Sequence, residues 1–172
     1  GLRNLNCYLK LLEGMNYSYR SDIEGNNLAR QMADQVLLMC PDSSSAYELL
    51  AITHMMDYWL GSGKSPQESI EKGIELAQKA VAMDDSLPYA HCLLSNFYTL
   101  KREHEKAIAE AERAVSLEPG GASVHLDYGM SLHYGGRPEE AIPVLQKAIR
   151  LNPLGDAGSF LHLGHAYRAT KR

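Results

Sequence analysis

The segment GSGKSP, Gly61–Pro66, carries the ending of a phosphate-cradling loop. In such loops glycines let backbone N–H groups approach the phosphates, and the lysine balances their charge. The full pattern is G-x4-G-K-[ST], and counting back from Gly63-Lys64-Ser65 puts its first glycine at position 58, which holds Tyr58. Pro66 follows Ser65 directly and removes one of the N–H donors the phosphates would need. The stretch before the loop, AYELLAITHMMDYWL from Ala46, has the spacing of an amphipathic helix, where the loop would need a buried strand. Each residue also has a plainer role. Ser65 is an N-cap, Pro66 takes the first helical position, and Glu68 completes an S-x-x-E capping box. Gly61 and Gly63 turn the chain, and Lys64 is solvated. The sequence therefore predicts a long turn between helices, with no nucleotide and no other cofactor.

Other reactive types are equally scattered. Of seven histidines, His162 and His165 lie three apart and His133 precedes them, but no HExxH or CxxC accompanies them. A zinc site needs three or four converging ligands, so no metal site is assigned. Glu103, Glu105, Glu110 and Glu112 read as solvated helix charges. No Ser-His-Asp or Cys-His arrangement can be argued from spacing, so no catalytic residue is assigned and the chain reads as a non-enzyme. Cys7, Cys40 and Cys92 are widely spaced and odd in number. They read as reduced, buried thiols of a cytoplasmic protein.

Composition narrows the partners. With 172 residues, 45% hydrophobic, the chain can bury a good-sized core. A net charge of −4 argues against electrostatic binding of nucleic acid or an anionic membrane surface. No apolar run is long enough to span a bilayer. The opening GLRNLNCYLK has no signal-peptide pattern.

What positions these residues is a repeat. Ala107 and Ala141, Ala114 and Ala148, and Pro119 and Pro153 are each 34 residues apart. Gly73 and Ala80 fill the same slots one copy earlier, with Asp85 in the proline slot; Ala29, Val36 and Pro41 mark another copy. The interval from Val36 to Ala80 is 44 residues, so this copy carries an insert that includes Trp59 and GSGKSP. Every copy reads as two helices with apolar stripes at three- and four-residue steps. Ser95, Gly129 and the alanines allow close helix approach. Pro119 and Pro153 end each second helix, while Pro143 falls inside one and removes a backbone bond.

These units resemble tetratricopeptide repeats: Leu94-Ser95…Tyr98…Ala107…Ala111…Ala114…Pro119, then Tyr128-Gly129…Leu132…Ala141…Leu145…Ala148…Pro153. The usual tryptophan slot holds Tyr47, His91 and His125, of which the histidines are expected to pack between helices. The resemblance implies an all-α solenoid of helix-turn-helix repeats, a right-handed superhelix with a concave inner surface. It divides a single domain, 1–172, into repeats at about 7–43, 44–87 (insert near 57–65), 88–121 and 122–155, with a lone first helix at 156–172. Tyr8–Met32, Ser65–Tyr98 and the insert DYWLGSGKSP are further similar to the repeat region that follows the catalytic domain of bacterial class III adenylate and guanylate cyclases. That resemblance implies a non-catalytic regulatory or scaffold module in signal transduction.

In this family the second, fifth, ninth and twelfth positions of the first helix face the concave side. Here they are Tyr89, Cys92, Asn96 and Thr99, then Ser123, Leu126, Met130 and His133, then Leu161, His165 and Arg168 on the last helix. A protein or peptide in this groove is the expected partner, or the cyclase domain of the same polypeptide. Chaperone-tail binding is disfavoured, because the lysine positions hold Cys92, Leu126 and Leu161. Trp59 in the insert either anchors the loop or meets a partner. Leu161, Leu163 and Tyr167 on the last helix would support a homodimer, or a self-associating adaptor outside any cyclase context.

Overall fold

The computed structural model describes residues 2–154 and 157–170. Among these residues the chain is helical, with no strand: α1 (Leu2–Ser18), α2 (Ile23–Met39), α3 (Ser44–Leu60), α4 (Pro66–Met83), α5 (Pro88–Leu100), α6 (His104–Leu117), α7 (Ala122–Tyr134), α8 (Pro138–Leu151) and α9 (Ala157–Ala169). They divide into two compact units, Gly1–Asp85 and Ser86–Arg172. None of the described helices is long and apolar enough to cross a membrane.

In the first unit, α1 packs on α2, α2 on α3, and α3 on α4. Buried Ala29, Ala33, Leu49 and Leu50 form one cluster, and Cys7, Val36 and Ala46 another. The helix starts are fixed by side chains the sequence supplies. Asp22 accepts from Gly25 N, Ser43 from Ala46 N, and Ser65 from Glu68 N at 3.1 Å. Each satisfies a first-turn N–H that the helix itself leaves unpaired. Helix α3 ends on Gly61, whose φ of 63° is left-handed, a conformation that glycine adopts at least cost. The insert lengthens α3 to 17 residues, against 13 in α5 and α7.

The expectation of reduced thiols is corrected here. Cys7 on α1 and Cys40, just beyond α2, form a disulfide. The folded chain brings the end of α2 back beside α1, and Val36 and Ala46 bury Cys7 next to it. Only a tertiary contact joins these distant positions, which is why spacing did not reveal the pair. Such a bridge fits an oxidising compartment, so the cysteines no longer argue for the cytoplasm. Cys92 is buried and lies outside the bridge.

In the second unit, α5 pairs with α6 and α7 with α8, and α9 packs on α8. Its core holds Ile108, Leu132, Ala141, Leu145 and Ala166. The alanines of the 34-residue frame are fully buried or nearly so, as their packing role requires. Gly129 faces Leu145 so closely that an added Cβ would lie 2.5 Å from its Cγ. Both tryptophan-slot histidines are buried and bonded. His91 Nδ1–H donates to Glu110 at 2.6 Å, and His125 Nε2–H donates to the Pro119 carbonyl at 3.0 Å. Glu110 is therefore not the free helix charge expected of it. Helix α8 continues through exposed Pro143. On α9, Leu161 and Tyr167 are exposed, but Leu163 packs into the core beside Ala166, which corrects its assignment to the exposed face.

Candidate interaction surfaces

In the first unit the insert is tied down by a polar network that periodicity did not reveal. Asp57, one turn before the end of α3, is buried. Its carboxylate accepts from Asn26 Nδ2 at 2.8 Å, Arg30 Nη2 at 2.6 Å and Ser62 Oγ at 2.9 Å. Its carbonyl accepts from Gly61 N and Ser62 N, closing the turn. Asn26 and Arg30 sit one turn apart on α2 and also reach the Thr53 carbonyl on α3. Pairs of polar residues four apart on facing helices were the available signal. A cavity of about 230 Å³ opens beside this network, lined by Arg30, His54, Asp57, Gly63, Lys64 and Ser69 among others. His54 is held below the usual histidine range by burial first and by the Arg30 charge second.

The geometry around GSGKSP is that of a capped turn. The element before it is helix α3, Ser65 Oγ accepts the Glu68 N–H, and Lys64 is solvated beside Glu68. Trp59 is 65% exposed and touches the Tyr58 ring edge-on at 5.1 Å.

Glu48 is a second residue missed by pattern. It lies 44 positions before Cys92, the repeat plus its insert, and so holds in α3 the slot of Cys92 in α5 and Leu126 in α7. It is 6% exposed, and burial pushes its carboxyl up to about 7.

In the second unit two pairs of the positions expected on the concave side meet across neighbouring first helices, and Asn96 and the histidines also reach residues beside that row. Tyr89 Oη lies 3.2 Å from Ser123 Oγ, and Asn96 Nδ2 donates to Asp127 at 3.2 Å. His133 on α7 faces His165 on α9 with ring centres 6.2 Å apart, and Tyr134 lies edge-on to His162 at 6.0 Å. Beneath them, Ser95 and Ser131 join α5 to α7 at 2.6 Å. Leu126 and Met130 are half-buried, and Leu126 also packs on the core. Arg168 is exposed. Thr99 Oγ1 and His133 Nδ1 are buried without a hydrogen-bond partner among the described residues. Burial, then the neighbouring His165, lowers the His133 pKa. Cys92 is the exception: at 2% exposure it packs against Ala114 and Val124 and offers no surface to a ligand. Its small side chain is drawn in where α5 and α7 approach. Among the described residues no three His, Cys, Asp or Glu side chains are placed to hold a metal ion.

Residues 88–120 and 122–153 match the tetratricopeptide repeat family. The transcriptional regulators HilA of Salmonella typhimurium and Salmonella typhi are 28% identical over 142 residues, covering 83% of this chain and 26% of theirs. The chain thus spans about a quarter of the length of these relatives. Among solved structures, Pseudomonas aeruginosa pilF aligns with a TM-score of 0.76 at 18% identity, over 99% of this chain and 72% of its own. A thermophilic tetratricopeptide-repeat protein of Thermus thermophilus aligns at 0.70 and 18% identity, over 83% of this chain and 73% of its own. At these identities the structures speak for the fold alone. Residues 88–153 carry two tetratricopeptide repeats, and the chain has the all-α fold of tetratricopeptide-repeat proteins.

Proposed function

We propose that this chain is a non-catalytic protein-interaction module whose first helices α5, α7 and α9 present a binding face to a protein or peptide. The observation that carries this reading is the alignment of Tyr89 with Ser123, Asn96 with Asp127, and His133 with His165 across successive helices. Half-buried Met130 sits on the same helix as His133, and exposed Arg168 adds a cation at the end of the row. Apolar contact with a few placed polar groups is what recognition of an extended or helical segment requires. Repeats 7–43 and 44–87 belong to the same reading, and Trp59 is its second contact point, an exposed aromatic on a pinned turn.

We place the module in a larger bacterial regulatory protein. The HilA relatives support a transcriptional regulator as the parent, because the match covers most of this chain. A class III cyclase is the competing parent, supported by the sequence resemblance of the insert and its flanks. The coding sequence upstream of Gly1 separates them, and the purified chain should make no cyclic nucleotide from ATP or GTP in either case. Self-association through exposed Leu161 and Tyr167 of α9 is the reading in which no foreign partner is needed.

Photocrosslinking in the parent bacterium tests the binding face. A photoreactive residue at Met130 or Leu126 should give one discrete protein adduct, and one at Glu112, outside that row, should give none. Equal labelling at both places would refute the assignment.

A further inference from the structure

The cavity beside the Asp57 network is walled by several elements of the first unit. Arg30 comes from α2, His54 and Asp57 from α3, Lys64 from the turn and Ser69 from α4. Two of these residues carry donors that the fold does not use. Arg30 spends Nε and Nη2 on Thr53 and Asp57, and its Nη1 has no partner among the described residues. Ser69 is 3% exposed, and its hydroxyl has no hydrogen-bond partner among the described residues. A hydroxyl buried in that state costs free energy that a bound acceptor would recover. Gly63 keeps the space beside it open, because a Cβ there would run into Ser69 Oγ.

We propose that this cavity binds a phosphate group through Arg30 Nη1, Ser69 Oγ and Lys64 Nζ. The site is independent of the binding face on α5, α7 and α9. Unused donors set the sign of the ligand, and the neighbouring carboxylates do not satisfy them. Asp57 is already engaged by Asn26, Arg30 and Ser62. Glu68 lies 3.6 Å from Lys64, but its side chain is 44% exposed and has water to turn to. Donors that arrive from α2, the turn and α4 suit acceptors spread in three dimensions, as on a tetrahedral oxyanion. The two oxygens of a carboxylate lie in one plane and serve such a set less well. A free guanidinium edge near a lysine is the common side-chain pairing for phosphate. The start of α4 adds the positive end of its dipole. Side chains of α2 and α4 hold the ion here, in place of the backbone cradle that Tyr58 and Pro66 rule out for GSGKSP.

Calorimetric titration of the purified chain in low-salt, phosphate-free buffer tests this. Inorganic phosphate and glycerol 3-phosphate are run as separate arms, which distinguish a free ion from an ester. At least one should bind saturably, with one ion per chain. Ser69→Ala should weaken that binding about tenfold, the worth of one hydrogen bond to a charged group, with helicity unchanged because the hydroxyl has no partner in the fold. Lys64→Ala should weaken it severalfold. Glu68→Gln removes the competing charge beside Lys64 and should tighten it. Lys106→Ala, the same change of charge in the second unit, should leave it unaltered. Lack of saturable binding in both arms would overturn the proposal. So would binding that Ser69→Ala leaves intact, or that Lys106→Ala weakens as much as Lys64→Ala does.

Discussion

Replacing Glu48 by glutamine should stabilise the protein at pH 8 and leave it nearly unchanged at pH 4. Burial alone raises this carboxyl from 4.5 to about 7, with no cation acting to offset it. A raised folded-state value means that the protonated form is preferred in the fold. Its contribution is complete below pH 4.5 and is lost as pH rises toward 7. Above that, folding either buries a charge or takes up a proton. A shift of that size corresponds to about 3 kcal/mol. Glutamine has the same shape and no charge to desolvate, so the variant escapes the penalty. At about 2–4 °C per kcal/mol, its melting temperature should exceed the parent's by about 6–12 °C at pH 8. Far-UV circular dichroism melts of both chains at pH 4, 6 and 8 provide the assay. His54 and His133, both held low by burial, titrate equally in the two proteins and cancel from the difference. The same difference at pH 4 and pH 8 would refute the reasoning.

Three further outcomes follow from the packing. Asp57→Ala removes the acceptor for Asn26, Arg30 and Ser62 and should cost about 2–4 kcal/mol, discounted for the partial exposure of Arg30; a melting temperature within 1–2 °C of the parent's, roughly the uncertainty of such melts, would contradict it. Reducing the Cys7–Cys40 bridge, or replacing both cysteines by serine, should cost about 2–4 kcal/mol in urea unfolding, and mass spectrometry of the unreduced protein should find these two residues linked. Gly129→Ala forces a methyl onto Leu145 and should cost about 1–3 kcal/mol by thermal melting, whereas Gly164→Ala, whose Cβ meets open space, should not destabilise.

The repeat frame was legible because packing repeats. Alanines at Ala107, Ala114, Ala141 and Ala148 are small for one reason, close helix approach, and that reason recurs at fixed spacing. The GSGKSP turn was legible too, since Ser65, Pro66 and Gly61 act on their own neighbours. The disulfide, the Asp57 network and buried Glu48 were not, because each depends on which side chains meet across helices. Chain order and periodicity do not encode that. The same limit applies to Cys92, whose slot in the frame is right but whose side chain is covered where α5 approaches α7.

The most direct test of the binding face is calorimetry between the purified chain and the protein captured by the Met130 crosslink. Met130→Glu and Asn96→Ala should each weaken binding at least tenfold with helicity unchanged, and Glu112→Ala should have no effect. Equal affinity in all three variants would contradict the assignment of that face as the functional surface.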